Sequence, residues 1–281
     1  MILKPLFLLV CVLALAFASL RLAAFPPSPH YKIYGMIRDQ VGTTLRVQGA
    51  EVVLLRDGAE IGRAPVNPDT SIDSNYELNI RIDQGRASTR TYSSKAVAAN
   101  GVYSLYVEMN GEKFYPIEVA GTLRAGNGGE RVRLDLNLGA DTDHDGLPDI
   151  WEQWQLYQSG RLAGPGGYDL SLINRDGDFD GDGVSNYQEY LAGTFAGDAT
   201  ERFELRIRGK TTTEASFEFF AIAGKVYAIE ESADLRIWTP VSSSLTPAGA
   251  AETFHRATAI GVRPIYVPVA GTSRFYRLAV R

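Results

Sequence analysis

Two acidic stretches, Asp141 to Glu152 and Asp178 to Glu189, hold the residues whose types and spacing suit chemistry. Read as twelve-residue loops, they superimpose. Asp141, Asp143 and Asp145 stand at positions one, three and five of the first, with Gly146 at six, Leu147 at seven, Asp149 at nine and Glu152 at twelve. The second has Asp178, Asp180, Asp182, Gly183, Val184, Asn186 and Glu189 at the same positions. A calcium ion takes roughly six to eight oxygens at about 2.3–2.6 Å, so a loop can enclose it with alternate side chains, one backbone carbonyl and a closing carboxylate that gives both oxygens. Glycine at six permits the sharp turn. Position seven gives only its carbonyl, which leaves the Leu147 and Val184 side chains for a core. The spacing predicts two Ca2+ sites built from these residues.

Charge supports a local reading of the acidity. The formal net charge is −5, and nine of the 33 acidic residues lie in the two loops; without them the balance is +4. Carboxylates packed so densely repel one another unless a cation neutralises them. The chain has no basic run or patch, which argues against a nucleic-acid partner.

The segments DTDHDGLPDIWE and DFDGDGVSNYQE resemble calcium loops of the EF-hand type, and within it the variants poor in a leading helix that occur in dockerins and thrombospondin type 3 repeats. The resemblance covers two dozen of 281 residues and implies bound calcium with a structural role. Dockerins recognise cohesins through positions ten and eleven of each loop. Here those positions are Ile150-Trp151 and Tyr187-Gln188, without the small-hydroxyl pair, so cohesin recognition is not implied residue by residue.

The elements that must position the loops follow from periodicity. Apolar residues recur at three to four positions over Pro148 to Tyr157 and Ser185 to Leu191, predicting two short helices, with Gly193 as a stop for the second. Packed together, these would bury Trp151, Trp154, Tyr187 and Tyr190. On both sides the pattern is β. Tyr76, Leu78, Ile80 and Ile82 share one face, as do Val132, Leu134, Leu136 and Leu138, and Asp57-Gly58 and Asn110-Gly111 mark hairpins. About seven short strands over 31–139 suggest a β-sandwich. Its opening, YGMIRD then GAEVVLLRDG, resembles carboxypeptidase-regulatory or prealbumin-like sandwiches. Alternation returns over 201–281, with Ala223-Gly224-Lys225 as a turn between two strands. There AGKVYAIEESADLRIWTPV and RFYRLAV resemble a small fibronectin III-like module found behind calcium loops in secreted bacterial proteins, with Trp238 as its core tryptophan. The expected fold class is mainly β: two β-sandwich domains flanking a calcium-binding loop-helix segment at 140–200.

The N-terminus carries Lys4, an apolar run from Leu6 to Phe17 and small residues suited to cleavage near Ala18 or Ala24. It reads as a signal peptide or as an uncleaved anchor over 1–24, with a proline spacer at 25–30. Either places the protein outside the cell or at its envelope. Cys11, the one cysteine, lies in that run, so a cleaved chain has no disulfides. His30, His144 and His255 are scattered, and no nucleophile motif, phosphate cradle or zinc-protease signature occurs. The expected function is noncatalytic, structural or adhesive, with calcium stiffening the junction between β-domains; the alternative is a carbohydrate- or protein-binding module. Extracellular polysaccharide or an envelope protein would be the partner.

Overall fold

The computed structural model describes residues 28–68, 73–83, 92–269 and 274–280; the signal or anchor, Cys11 and the first part of the proline spacer lie outside them. The chain is mainly β, with several small sheets and, among the described residues, two short α-helices. Among the described residues, no helix is long and apolar enough to cross a membrane.

The first sheet places strand Tyr31–Gly35 between Tyr76–Ile80, antiparallel, and Arg131–Arg133, parallel. The second runs Leu123–Arg124, Val102–Met109, Glu51–Arg56, Ala59–Pro65, with Glu112–Phe114 on Val102–Met109. Both hairpins form at their expected turns. Asp57 and Gly58 have φ of 51° and 77°, Asn110 and Gly111 of 52° and 82°, the left-handed pairs that a two-residue hairpin loop demands. Residues of both sheets meet in one hydrophobic cluster that includes Ile33, Leu54, Leu78, Ile80, Leu105 and Leu136. Two expectations need correction. Val132 is exposed, so the apolar face of that segment starts at Leu134. The strands are shorter and more numerous than seven, because the segment breaks at Asp135, whose Oδ1 accepts the Met36 N–H at 3.0 Å.

The same region holds a part-buried ion network. Arg38 is 1% exposed, and both its terminal nitrogens stand 3.3 Å from Asp135 Oδ2. Arg133 bridges Asp135 at 3.0 Å and Asp73 at 2.7 Å.

The C-terminal strands form a three-stranded sheet, Arg206–Lys210, Glu214–Ala221 and Gly261–Pro268, and a four-stranded one centred on Val226–Ser232. Phe217, Phe219, Tyr227, Ile229 and Ile265 make their shared cluster. The turn at Ala223-Gly224-Lys225 is therefore no hairpin: it carries the chain from the first of these sheets to the second. Trp238 is also not in the core. It sits half-exposed, with the Arg277 guanidinium 4.4 Å from its ring centre, because it lies just before Thr239–Val241, a strand at the edge of its sheet.

His255, buried in this region, shares a hydrogen bond of 2.9 Å with Ser243 Oγ. Burial holds its imidazole below the usual range, opposed by Glu252 and by backbone carbonyls. A lowered value in the folded state means that the unfolded chain takes up the proton more readily. Stability is then present above the ordinary imidazole range and is lost as pH falls through the folded value. Between pH 7 and pH 5 the native chain should lose more stability to urea than His255→Gln does; equal losses would remove His255 from the acid response.

Candidate metal centre

A capping box starts the second helix. The segment Asn186–Ala192 (α2) is preceded by Ser185, whose side chain accepts from Gln188 N while Gln188 reaches back, and Gly193 ends it at φ 79°. The first helix, Asp149–Gln158 (α1), starts after Pro148 in an extended conformation. Each helix grows directly out of an acidic loop.

The two loops share a set of hydrogen bonds. The position-one carboxylate accepts the position-six N–H, Asp141 from Gly146 at 3.1 Å and Asp178 from Gly183 at 2.8 Å. Position five accepts from position seven, Asp145 from Leu147 at 2.8 Å and Asp182 from Val184 at 2.7 Å. Position nine accepts from position two, Asp149 Oδ1 from Thr142 at 2.7 Å and Asn186 Oδ1 from Phe179 at 3.0 Å. Left-handed backbone occurs at positions four and six of both, His144 at 63° and Gly146 at 93°, Gly181 at 80° and Gly183 at 92°.

This folding gathers charge. Asp141, Asp143 and Asp145 each offer an oxygen within 4.8 Å of the others, and so do Asp178, Asp180 and Asp182. The closing acids are more telling. Glu152 and Glu189 are both 0% exposed, and neither oxygen of either has a hydrogen-bond partner. Asp180 Oδ2 is buried in the same condition, and Asp182 Oδ2 has only Arg202 Nε at 3.5 Å. Burial, then Asp143 and Asp145, push Glu152 up to about 9. Burial, then Asp180 and Asp182, push Glu189 up to about 8. An unpaired carboxylate out of water costs several kcal/mol. Hard oxygen donors arranged this way fit a hard divalent cation that accepts six or more of them, roughly calcium's requirement.

Position nine also braces the loops. Asp149 and Asn186 spend one oxygen each on loop backbone, and the Asn186 amide donates to the Asn174 carbonyl at 2.6 Å. Leu147 is buried in a third hydrophobic cluster with Trp151, Leu156, Ile173 and Tyr190, as expected of position seven; Val184 is half-buried. His144 is exposed.

Compared with family models, with curated proteins and with solved structures, the chain matches none. What the region does is therefore read from its own geometry.

The expected aromatic core is half right. Trp151 meets Tyr190 edge-on at 5.6 Å, and Tyr187 stacks on Tyr190 at 6.3 Å. Trp151 is thus closed to any partner. Trp154 is 48% exposed, and with Ile150 and Tyr157 it forms an open stripe at i, i+4 and i+7 of α1. The sequence pattern placed Trp154 on the inner face because helical spacing alone does not say which side of a short helix has a neighbour.

Sequence reasoning also passed over the segment that joins the loops. Arg175 N donates to Asp145 Oδ2 at 2.6 Å, its carbonyl accepts from Tyr187 N at 3.0 Å, and its guanidinium lies 3.6 Å from the Tyr187 ring centre. Gly177 O accepts from Asn186 N at 2.8 Å. An arginine between two acidic loops was the available signal.

Proposed function

We propose that the chain is a noncatalytic, calcium-binding modular protein, structural or adhesive, in which two β-sandwich modules flank paired calcium loops that act as a stiffening joint. The observation that carries this reading is the state of Glu152 and Glu189: fully buried, without a partner on any oxygen, and each set among the carboxylates of its own loop. A divalent cation supplies the positive charge that such a set lacks. Asp141, Asp143, Asp145 and Glu152 would hold one ion, and Asp178, Asp180, Asp182 and Glu189 the other, with Leu147 and Val184 giving carbonyls. Asp149 and Asn186 stand at the ninth position of each set and also keep the loops in shape.

The N-terminal apolar run supports a place outside the cell or at its envelope. Extracellular modules bind calcium at about 10⁻⁴ to 10⁻³ M, so even modest sites would be filled there. Calorimetric titration of the intact chain with calcium should give two ions per chain, and Glu152→Gln and Glu189→Gln should each leave one. Absence of stoichiometric binding by the native chain would end this reading.

A further inference from the structure

The second loop ends in a three-way junction. Tyr190 follows the closing Glu189 and is fully buried. Its hydroxyl donates to the Asp39 carbonyl at 3.1 Å and lies 3.3 Å from Asn137 Oδ1, both in the N-terminal β region. Its own carbonyl, near the end of a seven-residue helix, has no helical partner to spare and accepts from Lys225 Nζ at 3.3 Å. Lys225 belongs to the C-terminal β region, is 5% exposed, and donates as well to the Gly42 carbonyl at 2.6 Å. One side chain from the third part of the molecule thus grips the first and second together.

Close approach is built into this junction. A β-carbon on Gly42, at φ 78°, would stand 2.5 Å from the Tyr190 carbonyl oxygen. One on Gly193 would stand 3.1 Å from Lys225 Cε. Arg46 adds a second tie across the same seam, donating to the Gly224 carbonyl at 3.2 Å. A lysine held by two carbonyls in a dry site is costly to keep there. Asp39 favours its charge and Arg38 opposes it. The grip therefore depends on α2 standing where its carbonyl meets the amine.

We propose that Lys225 and Tyr190 form a latch through which cation occupancy of the second loop sets the pose of both flanking β regions. The inference rests on the calcium reading above. Glu189 and Tyr190 are consecutive, so fixing the Glu189 carboxylate fixes the helical turn that presents the Tyr190 hydroxyl and carbonyl. Such coupling is reciprocal: if loading favours the latch, opening the latch must weaken loading. The first loop reaches the junction less directly, through the edge of Trp151 on the Tyr190 ring, through Leu147 in the same cluster, and through Arg175 between Asp145 and Tyr187.

The test is a calcium titration of the full chain, native and Lys225→Met, read at the amide resonances of Gly146 and Gly183, one in each loop. Lys225→Met should shift the Gly183 midpoint to calcium about five- to tenfold higher, with less than about a twofold change at Gly146. Tyr190→Phe keeps the ring and removes the hydroxyl, and should move Gly183 in the same direction; it also serves if the lysine variant does not fold. Unchanged midpoints in a folded variant, or equal shifts at both glycines, would overturn the latch. A native chain in which neither glycine responds to calcium would overturn the calcium reading itself, a result distinguishable from native binding with indifferent variants.

Discussion

Adding EDTA to the intact chain at neutral pH should open the segment between Leu138 and Phe203 to trypsin while leaving both flanking β regions whole. The reason lies in the buried acids. Glu152 and Glu189 are inaccessible and unpartnered, and without a cation they stay buried at neutral pH only by taking up protons, which their raised values of about 9 and 8 allow at a cost; turning them out into water removes that cost and unseats both helices from their cluster. With calcium at ten times its dissociation constant, each site adds about 1.4 kcal/mol to the closed form, so two sites together change the open population about a hundredfold. If opening is fast relative to cleavage, digestion speeds up by the same factor. Arg175 is the site to watch, because its N–H is held by Asp145 and its carbonyl by Tyr187 while the loops are closed. A digestion pattern indifferent to EDTA would remove calcium as the brace of this segment.

The second large effect is expected at Arg38→Met, in the N-terminal β region. Methionine fills much of the same space but leaves Arg133 as the one cation beside Asp135, and it removes a cation that also acts on Glu118 and Tyr190. Breaking a buried ion pair from one side costs about 3–5 kcal/mol. Asp135 keeps Arg133, the Met36 N–H and some contact with solvent, so the loss should fall near the lower end, about 3 kcal/mol. Urea unfolding followed by tryptophan-independent circular dichroism measures it. A loss under about 1 kcal/mol would mean that the network contributes little beyond what a surface pair does.

Local chemistry was legible in the sequence, and distant pairing was not. Asp57-Gly58 and Asn110-Gly111 announce their hairpins because a two-residue turn has few solutions. The loops were visible because each needs its oxygens within twelve consecutive residues. By contrast, the grip of Lys225 on Gly42 spans 183 residues, and the Tyr190 bond to Asp39 spans 151. No local pattern encodes such contacts. Trp154 and Trp238 show the same boundary. Both have the size and setting of core residues, yet the neighbours that would cover them belong to parts of the chain whose placement the spacing does not specify. The change of sheet after Ala221 was hidden because a glycine turn looks the same whether it returns a strand or sends it across.

Strand Tyr31–Gly35 takes a parallel neighbour from Arg131–Arg133, and Ile37–Arg38 likewise pairs with Leu136–Asn137, about a hundred positions later. Contacts so remote along the chain are slow to form, since a long loop must close before they yield anything. As the polypeptide is made from its amino end, the opening strands must wait with one flank bare until the ribosome has passed residue 138. The first aspartate of the loops is only three positions further on. Maturation of the early sheet and emergence of the first acidic loop thus fall at nearly the same moment of synthesis, and a nascent chain halted before Arg131 should remain prone to sticking to its fellows.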